Sequence, residues 1–241
     1  MITLFRILTL SAEKMEKRLI WDLPTRLFHW LLVITLIVQY VTAEVLDDAM
    51  QWHFYGGYFA LGLILFRILW GLAGTDYARF SHFVKGPATV FRYACNLFNR
   101  DSPAHTGHNP LGGWMVILML ALIATQAVSG LFLTDDVFLD GPYRSAVSEA
   151  TQDTMNFLHH SVFNVLLALI ALHIAAIIFY AIYKKQRLAP SMIHGKKTTE
   201  DKAISSSKLL LAALLIALSA ATVYYVVEIA PPAPVDDGAY Y

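Results

Sequence analysis

The chain has 241 residues, of which 57% are hydrophobic and 15% charged, with 18 basic side chains balancing 18 acidic ones. Soluble domains carry roughly a quarter charged residues, so the composition argues against a soluble fold, and the even balance leaves no global field to attract nucleic acid. The single cysteine, Cys95, excludes an internal disulfide, a cysteine zinc site or an iron–sulfur cluster built by this chain alone; it reads as a buried apolar filler.

In chain order, the first apolar stretch, Ile2–Leu10, is too short to span a membrane, and Met15 opens a tidier start, MEKRLIWDLPTRLFHW. A spanning helix needs about 20 mostly apolar residues. Five segments meet that need: Leu27–Leu46, Phe54–Ala73, Gly113–Leu133, Leu158–Tyr183 and Leu209–Ala230. Between the second and third lies Pro87–Asn99, where Pro87 suits a first helical turn. Val90, Phe91, Ala94, Cys95 and Phe98 can share one face there, the pattern of a helix lying on the membrane surface. The expected organisation is an all-α integral membrane protein with an N-terminal segment 1–20, a four-helix core 21–187, a linker 188–208, a fifth helix 209–230 and a tail 231–241.

Orientation follows from the lysines and arginines, which favour the cytoplasmic side. Lys14, Lys17, Arg18 and Arg26 precede the first span; Arg79, Lys85, Arg92 and Arg100 follow the second; Lys184, Lys185, Arg187, Lys196, Lys197, Lys202 and Lys208 follow the fourth. The alternate loops hold Asp47 and Asp48, then Asp135, Asp136, Asp140, Glu149 and Asp153, with Arg144 their one basic residue. The N-terminus is therefore expected inside, and the C-terminal tail with Asp236 and Asp237 outside.

Ionisable side chains inside a membrane are costly, so each needs a reason. His29 sits early in the first span, His53 opens the second, His159 opens the fourth, and His173 lies fourteen residues further along the same helix. Fourteen residues are nearly four turns, so His159 and His173 share a face about 21 Å apart along the axis. Imidazole is a strong axial ligand for haem iron, and facing helices of a bundle supply two ligands to one metal. Depth pairs His53 with His159 at the outer side and His29 with His173 toward the inner side. His160 neighbours His159 but projects about 100° away. One such histidine is more often an interhelical hydrogen-bond donor; four in two layers point to a bound cofactor. His82, His105, His108 and His194 fall in inner loops, where a solvated side chain is the default.

Arg26 lies one turn from His29 on the same face, and Arg67 lies near the inner end of the second span. Both suit haem propionates, since an arginine fork matches a carboxylate; simple snorkelling is the plainer reading of each. Gly56 and Gly57 after His53, and Gly130 late in the third span, allow the close helix approach that a flat macrocycle needs, as they would ordinary helix packing.

WDLPTRLFHW, HFYGGYFALGLILFRILWGLAGTDYARF, GHNPLGGWMV, QAVSGLF, HHSVFNVLLALIALH and MIHGKK together resemble the bacterial cytochrome b-561 family, which includes the b-type cytochrome subunit of nickel–iron hydrogenases. The resemblance covers about residues 17–197. It implies a four-helix core in the bacterial inner membrane, two haem b groups on His29, His53, His159 and His173, and electron transfer between the quinone pool and a redox partner. The partner class it implies is a periplasmic cytochrome c or a hydrogenase or dehydrogenase subunit. The fifth span and tail, Leu209–Tyr241, lie beyond it. The competing readings are a transporter whose histidines relay protons or bind a metal ion, and a passive anchor subunit. The first lacks paired inverted repeats with broken helices and mid-span acidic residues for a relay, and the second leaves Arg26, His29 and the two-layer histidines unexplained.

Overall fold

The computed structural model describes residues 15–100, 104–135 and 137–233. The Ile2–Leu10 stretch, Lys14, Asp136 and the tail acids Asp236 and Asp237 lie outside the described residues. The chain opens with a strand, β1 (Glu16–Leu19), and enters the first long helix, α1 (Leu23–Glu44). Asp22 caps that helix: its Oδ1 accepts from Thr25 N at 2.7 Å, and Pro24 sits in the first turn where its missing N–H is harmless. The other carboxylate oxygen accepts from the Thr75 hydroxyl, and Thr25 Oγ1 accepts from Trp70 Nε1 at 3.1 Å. Trp70 is wholly buried, so these bonds join the start of α1 to the end of the second helix, α2 (Met50–Ala73).

After α2 come a one-turn helix, α3 (Phe80–Phe83), the surface helix α4 (Pro87–Cys95) and the third long helix, α5 (Pro110–Gly130). Asn109 caps α5 through Gly112 N at 2.7 Å, with Pro110 in the first turn. The fourth long helix, α6, runs Glu149–Ile182, starting nine residues ahead of its apolar run. Polar residues from Glu149 to Asn156 continue the helix because they stand clear of the hydrocarbon, so His159 sits about three turns in rather than at the helix start. A short helix α7 (Ala189–His194), a strand β2 (Lys196–Thr199) and α8 (Leu209–Tyr224), extended by a π-type turn at Tyr225–Ile229, complete the chain. Five of these helices are long and apolar enough to cross a membrane: Leu23–Glu44, Met50–Ala73, Pro110–Gly130, Glu149–Ile182 and Leu209–Ile229.

α2 is the central helix, flanked by α1, α5 and α8, while α6 packs along α5. The fifth helix thus covers a face of α2, with Val223 against Gly62 and Ala212 joining the core. The residue ahead of it also closes α2: Lys208 Nζ donates to Gly74 O at 2.8 Å and Ala73 O at 3.3 Å, placing a cation at a helix C-terminus where the backbone dipole favours it. The core at mid-bundle is built by Leu63 and Ile64, Leu120 and Ile123, and Leu166, with Leu32, Leu36 and Ile170 packed against it.

At the end where α1 begins, here called basal, β1 pairs antiparallel with β2, Glu16 opposite Thr199 and Leu19 opposite Lys196. The segment read as a linker therefore carries a helix and a strand. Ile20 N and Trp21 N both donate to Gly195 O, at 2.9 and 3.0 Å, and Gly195 adopts φ 80°, a conformation that favours glycine. Arg18 Nη1 donates to the carbonyls of Glu200 and Asp201 at 2.8 and 3.0 Å. α4 is clipped to the basal end of α6 by the Tyr93–Tyr180 hydroxyl contact at 2.7 Å. Cys95, expected in the interior, is exposed on α4; a surface helix has too little packed face to bury every apolar residue.

Removing the buried cap should be costly. Asp22→Ala leaves Thr25 N and the Thr75 hydroxyl without their acceptor, and loses about 1–3 kcal/mol. The measurement is a thermal unfolding midpoint in detergent, with Asp22→Asn losing less because its amide oxygen keeps the helix cap.

Candidate functional site

The histidines meet in pairs. Near the far end of the bundle, here called distal, His53 of α2 and His159 of α6 face each other with ring centroids 6.2 Å apart and planes at 73°. Each ring is fixed by its Nδ1. His53 Nδ1 lies 3.2 Å from Gln39 O and 3.4 Å from Thr42 Oγ1. The Thr42 hydroxyl already gives its proton to Val38 O at 2.8 Å, so the imidazole is the donor. His159 Nδ1 lies 3.0 Å from Ser129 Oγ, whose own proton goes to Thr125 O at 2.7 Å, so again the imidazole donates. Both neutral rings therefore carry their proton on Nδ1 and keep the Nε2 lone pair for a ligand. His160 is exposed, and its ring meets that of His159 edge-on with centroids 6.0 Å apart.

The glycines expected at a cofactor have specific neighbours. A Cβ at Gly130 would sit 3.3 Å from His159 Cε1, so this glycine makes room for the imidazole. A Cβ at Gly57 would sit 3.4 Å from Gln39 Nε2, and one at Gly56 would sit 2.6 Å from Gln39 Oε1. Gly56 and Gly57 therefore let α2 approach α1 at the residue whose carbonyl holds His53.

At the basal end His29 of α1 and His173 of α6 lie close enough to interact electrostatically. His29 stacks edge-on against Trp30 with centroids 5.1 Å apart, and Trp30 Nε1 donates to Met192 O at 3.1 Å. Arg26 donates through Nη1 to Ile193 O at 2.6 Å, while its Nε is buried without a partner. Arg67 is 3% exposed, its guanidinium lying over Phe80 at 4.9 Å.

His108 departs furthest from the sequence expectation. It is not a solvated loop side chain but lies between Trp21 and Phe83, with ring centroids at 4.8 and 4.5 Å. Burial, then the charge of Arg67, pushes its pKa down to about 3, so it is neutral at any physiological pH. No local signal points to it, since Trp21 and Phe83 are distant in sequence. His82 and His105 rest on Tyr77 and Tyr93, and His194 Nδ1 accepts from Lys196 N at 3.0 Å. Sequence reasoning likewise misses Ser129, Gln39 and Thr42, because a bond to a histidine thirty, fourteen or eleven residues away leaves no local pattern.

Among the described residues no three histidine, cysteine, aspartate or glutamate side chains converge as a metal site. A metal held by two imidazoles here would take its other ligands from outside the chain, which a macrocycle can supply. The separation suits this. A metal lies about 2 Å from an imidazole nitrogen and about 3 Å from the ring centre, so two rings on opposite sides have centres about 6 Å apart. The packing suits it too, since α6 has no extended backbone contact with α1 or α2, the two helices that supply the facing histidines. The residues present fit a haem.

A family model described as prokaryotic cytochrome b561 matches residues 20–195. No curated protein and no solved structure matches the chain. The match covers α1 to α6 and the basal segment through Gly195, and so includes all four paired histidines. The chain belongs to the prokaryotic cytochrome b561 family and is a multi-pass membrane protein, a b-type cytochrome of electron transfer.

Proposed function

We propose that the chain is a di-haem cytochrome that carries electrons across the bacterial inner membrane, between the quinone pool and a periplasmic redox partner. The observation that supports this most directly is the single helix α6, which brings His159 to His53 at one depth and His173 to His29 at another. In this reading His53 and His159 hold a distal haem b, and His29 and His173 hold a basal one. When bound, haem supplies one-electron redox chemistry. The chain's own residues bind and orient. Gln39 O and Ser129 Oγ accept the Nδ1 protons of the distal pair, which fixes the tautomer and makes each ligand more basic. Gly130 leaves space for the His159 ring, and Gly57 lets α1 and α2 close around Gln39. Arg26 and Arg67 supply positive charge for haem carboxylates at the basal pair. The mid-bundle core separates the two sites with packed aliphatic side chains and keeps water out.

The basal end faces the cytoplasm in this reading, since it holds the runs of lysine and arginine, and the C-terminus faces the periplasm. The core 21–187 then works as the electron-transfer unit and the fifth helix 209–230 as its flank. On the periplasmic side the acidic residues are partly engaged. Asp135 Oδ1 accepts from Val137, Phe138 and Leu139 N at 2.8 to 2.9 Å, which holds its carboxyl below the usual range, and Asp140 pairs with Arg144 at 3.4 Å. These bonds leave the Asp135 charge in place, so the surface still favours a positively charged partner.

A pyridine haemochrome assay should give two haem b per chain; one per chain would defeat the two-site scheme. Redox titration should show that His29→Ala and His173→Ala remove one haem, and His53→Ala and His159→Ala the other. Ser129→Ala, which leaves the His159 Nδ1 proton without its acceptor, should weaken retention of the distal haem on the order of 10–100-fold. Haem transfer to apomyoglobin measures that loss, and the basal haem should transfer at an unaltered rate. For the partner, reduction of a basic cytochrome c in stopped flow should slow as salt rises past the point where exposed charges are screened within about 8 Å. It should slow further in Asp135→Asn and Asp140→Asn; a rate indifferent to both changes would remove the docking role of this face.

A further inference from the structure

The basal end collects buried nitrogen atoms that have nothing to bind. Among the described residues, the side-chain nitrogens that are buried and lack a hydrogen-bond partner are Arg26 Nε, His29 Nδ1, Arg67 Nη1 and His108 Nδ1, and all four lie at this end. The distal pair shows the opposite, with both Nδ1 atoms engaged by oxygens of the chain.

Arg67 is the sharpest case. Its guanidinium is always charged and lies over the rings of Phe80 and Phe83, 4.9 and 5.9 Å from their centres. The backbone is shaped to close this slot. Gly71 lets the Phe80 ring lie directly on α2, and a Cβ at Gly113 would come within 2.8 Å of Phe83 O. The carboxylate that Arg67 senses, Asp22, is already used: one oxygen accepts from Thr25 N and the other from the Thr75 hydroxyl. The ion pairs among the described residues, Arg79–Asp76 and Arg144–Asp140, do not involve Arg67. Asp22 keeps its charge and offsets that of Arg67 in part, but its oxygens are taken, and a buried N–H left without an acceptor is costly; Arg67 Nη1 therefore calls for a further acceptor, best an anion, that the described residues do not supply.

The neighbours say where that anion comes from. His108, packed on the same Phe83 ring, is within electrostatic reach of both Arg67 and His173. As a neutral ring it has one N–H to give. A fork-shaped cation and one imidazole donor, within electrostatic reach of a histidine of the basal pair and packed among Trp21, Phe80 and Phe83, match a carboxylate carried in on whatever that pair binds. Resting on the two-haem reading above, we infer that Arg67 and His108 receive a carboxylate of the basal haem in a closed, water-poor site. His108 is a binding residue of this cytochrome, and Arg67 is set apart from a snorkelling membrane anchor. A cation held there favours the electron-rich reduced state of the basal haem and leaves the distal haem, a bundle's length away, untouched.

The test uses the full-length purified protein, with haem labelled by carbon-13 at its carboxyl groups through the precursor fed to the cells. Reduced-minus-oxidised infrared difference spectra then isolate the haem carboxylates, and potentiometric titration follows each haem, assigned by the histidine variants. Arg67→Gln should shift label-sensitive carboxylate bands and lower the midpoint of the basal haem alone, with Arg67→Lys shifting both less. His108→Gln should move the same bands with a smaller effect on potential. Unchanged bands and an unchanged basal midpoint in Arg67→Gln would overturn the assignment, as would a shift confined to the distal haem. Should Arg67→Gln fail to assemble, His108→Phe, which keeps an aromatic ring in the slot, carries the comparison, and unaltered bands there overturn it equally. Failure of the two-haem reading would show separately, as a single haem in the unsubstituted protein.

Discussion

Hydrocarbon offers no water, so every polar atom placed at membrane depth must find its partner within the chain or in something the chain binds. That constraint organises this molecule. It explains why Ser129 and Thr42 sit where they do, each giving its own proton to a carbonyl one turn back and leaving its oxygen for an imidazole. It explains the buried Asp22, whose two oxygens tie α1 to the end of α2. It also gives meaning to Arg67 and His108, where the same accounting does not close within the chain.

The two ends of the bundle are accordingly built on different terms. The distal pair is held by α1 and α5 from behind, through Gln39 O and Ser129 Oγ, so its geometry is complete in the protein alone. The basal pair sits under a cap assembled from three separate parts of the chain: β1, the turn before α5, and the α7–β2 segment. Between them lies the packed apolar core around Ile64, Ile123 and Leu166. α6 spans both ends, so a rotation of that helix displaces His159 and His173 together.

Much of this was legible in the sequence for simple reasons. Long apolar runs announce spans, and helix phase with depth was enough to propose which histidines face each other. What stayed hidden was non-local. The strand Lys196–Thr199 has no alternating apolar pattern, and it becomes a strand because β1 lies beside it. His108 looked like a loop residue because nothing nearby in sequence reveals Trp21 or Phe83 around it. Cys95 looked like core because composition cannot tell an apolar face that meets protein from one that meets the membrane surface. The start of α6 was placed late because hydropathy marks where a helix enters hydrocarbon, not where its backbone bonds begin. The role of the fifth span, absent from the sequence reading, becomes clear only from Lys208 on the carbonyls of Ala73 and Gly74.

The β1–β2 pairing carries a consequence for how the molecule is made. β1 is among the first described segments to leave the ribosome, whereas β2 follows only after the fourth span has been synthesised. Until then Glu16–Leu19 has no strand to pair with, and the bonds of Ile20 and Trp21 to Gly195 cannot form. The ribbon that joins Glu16–Leu19 to Lys196–Thr199 is a tie made late in synthesis rather than a scaffold laid down at the start.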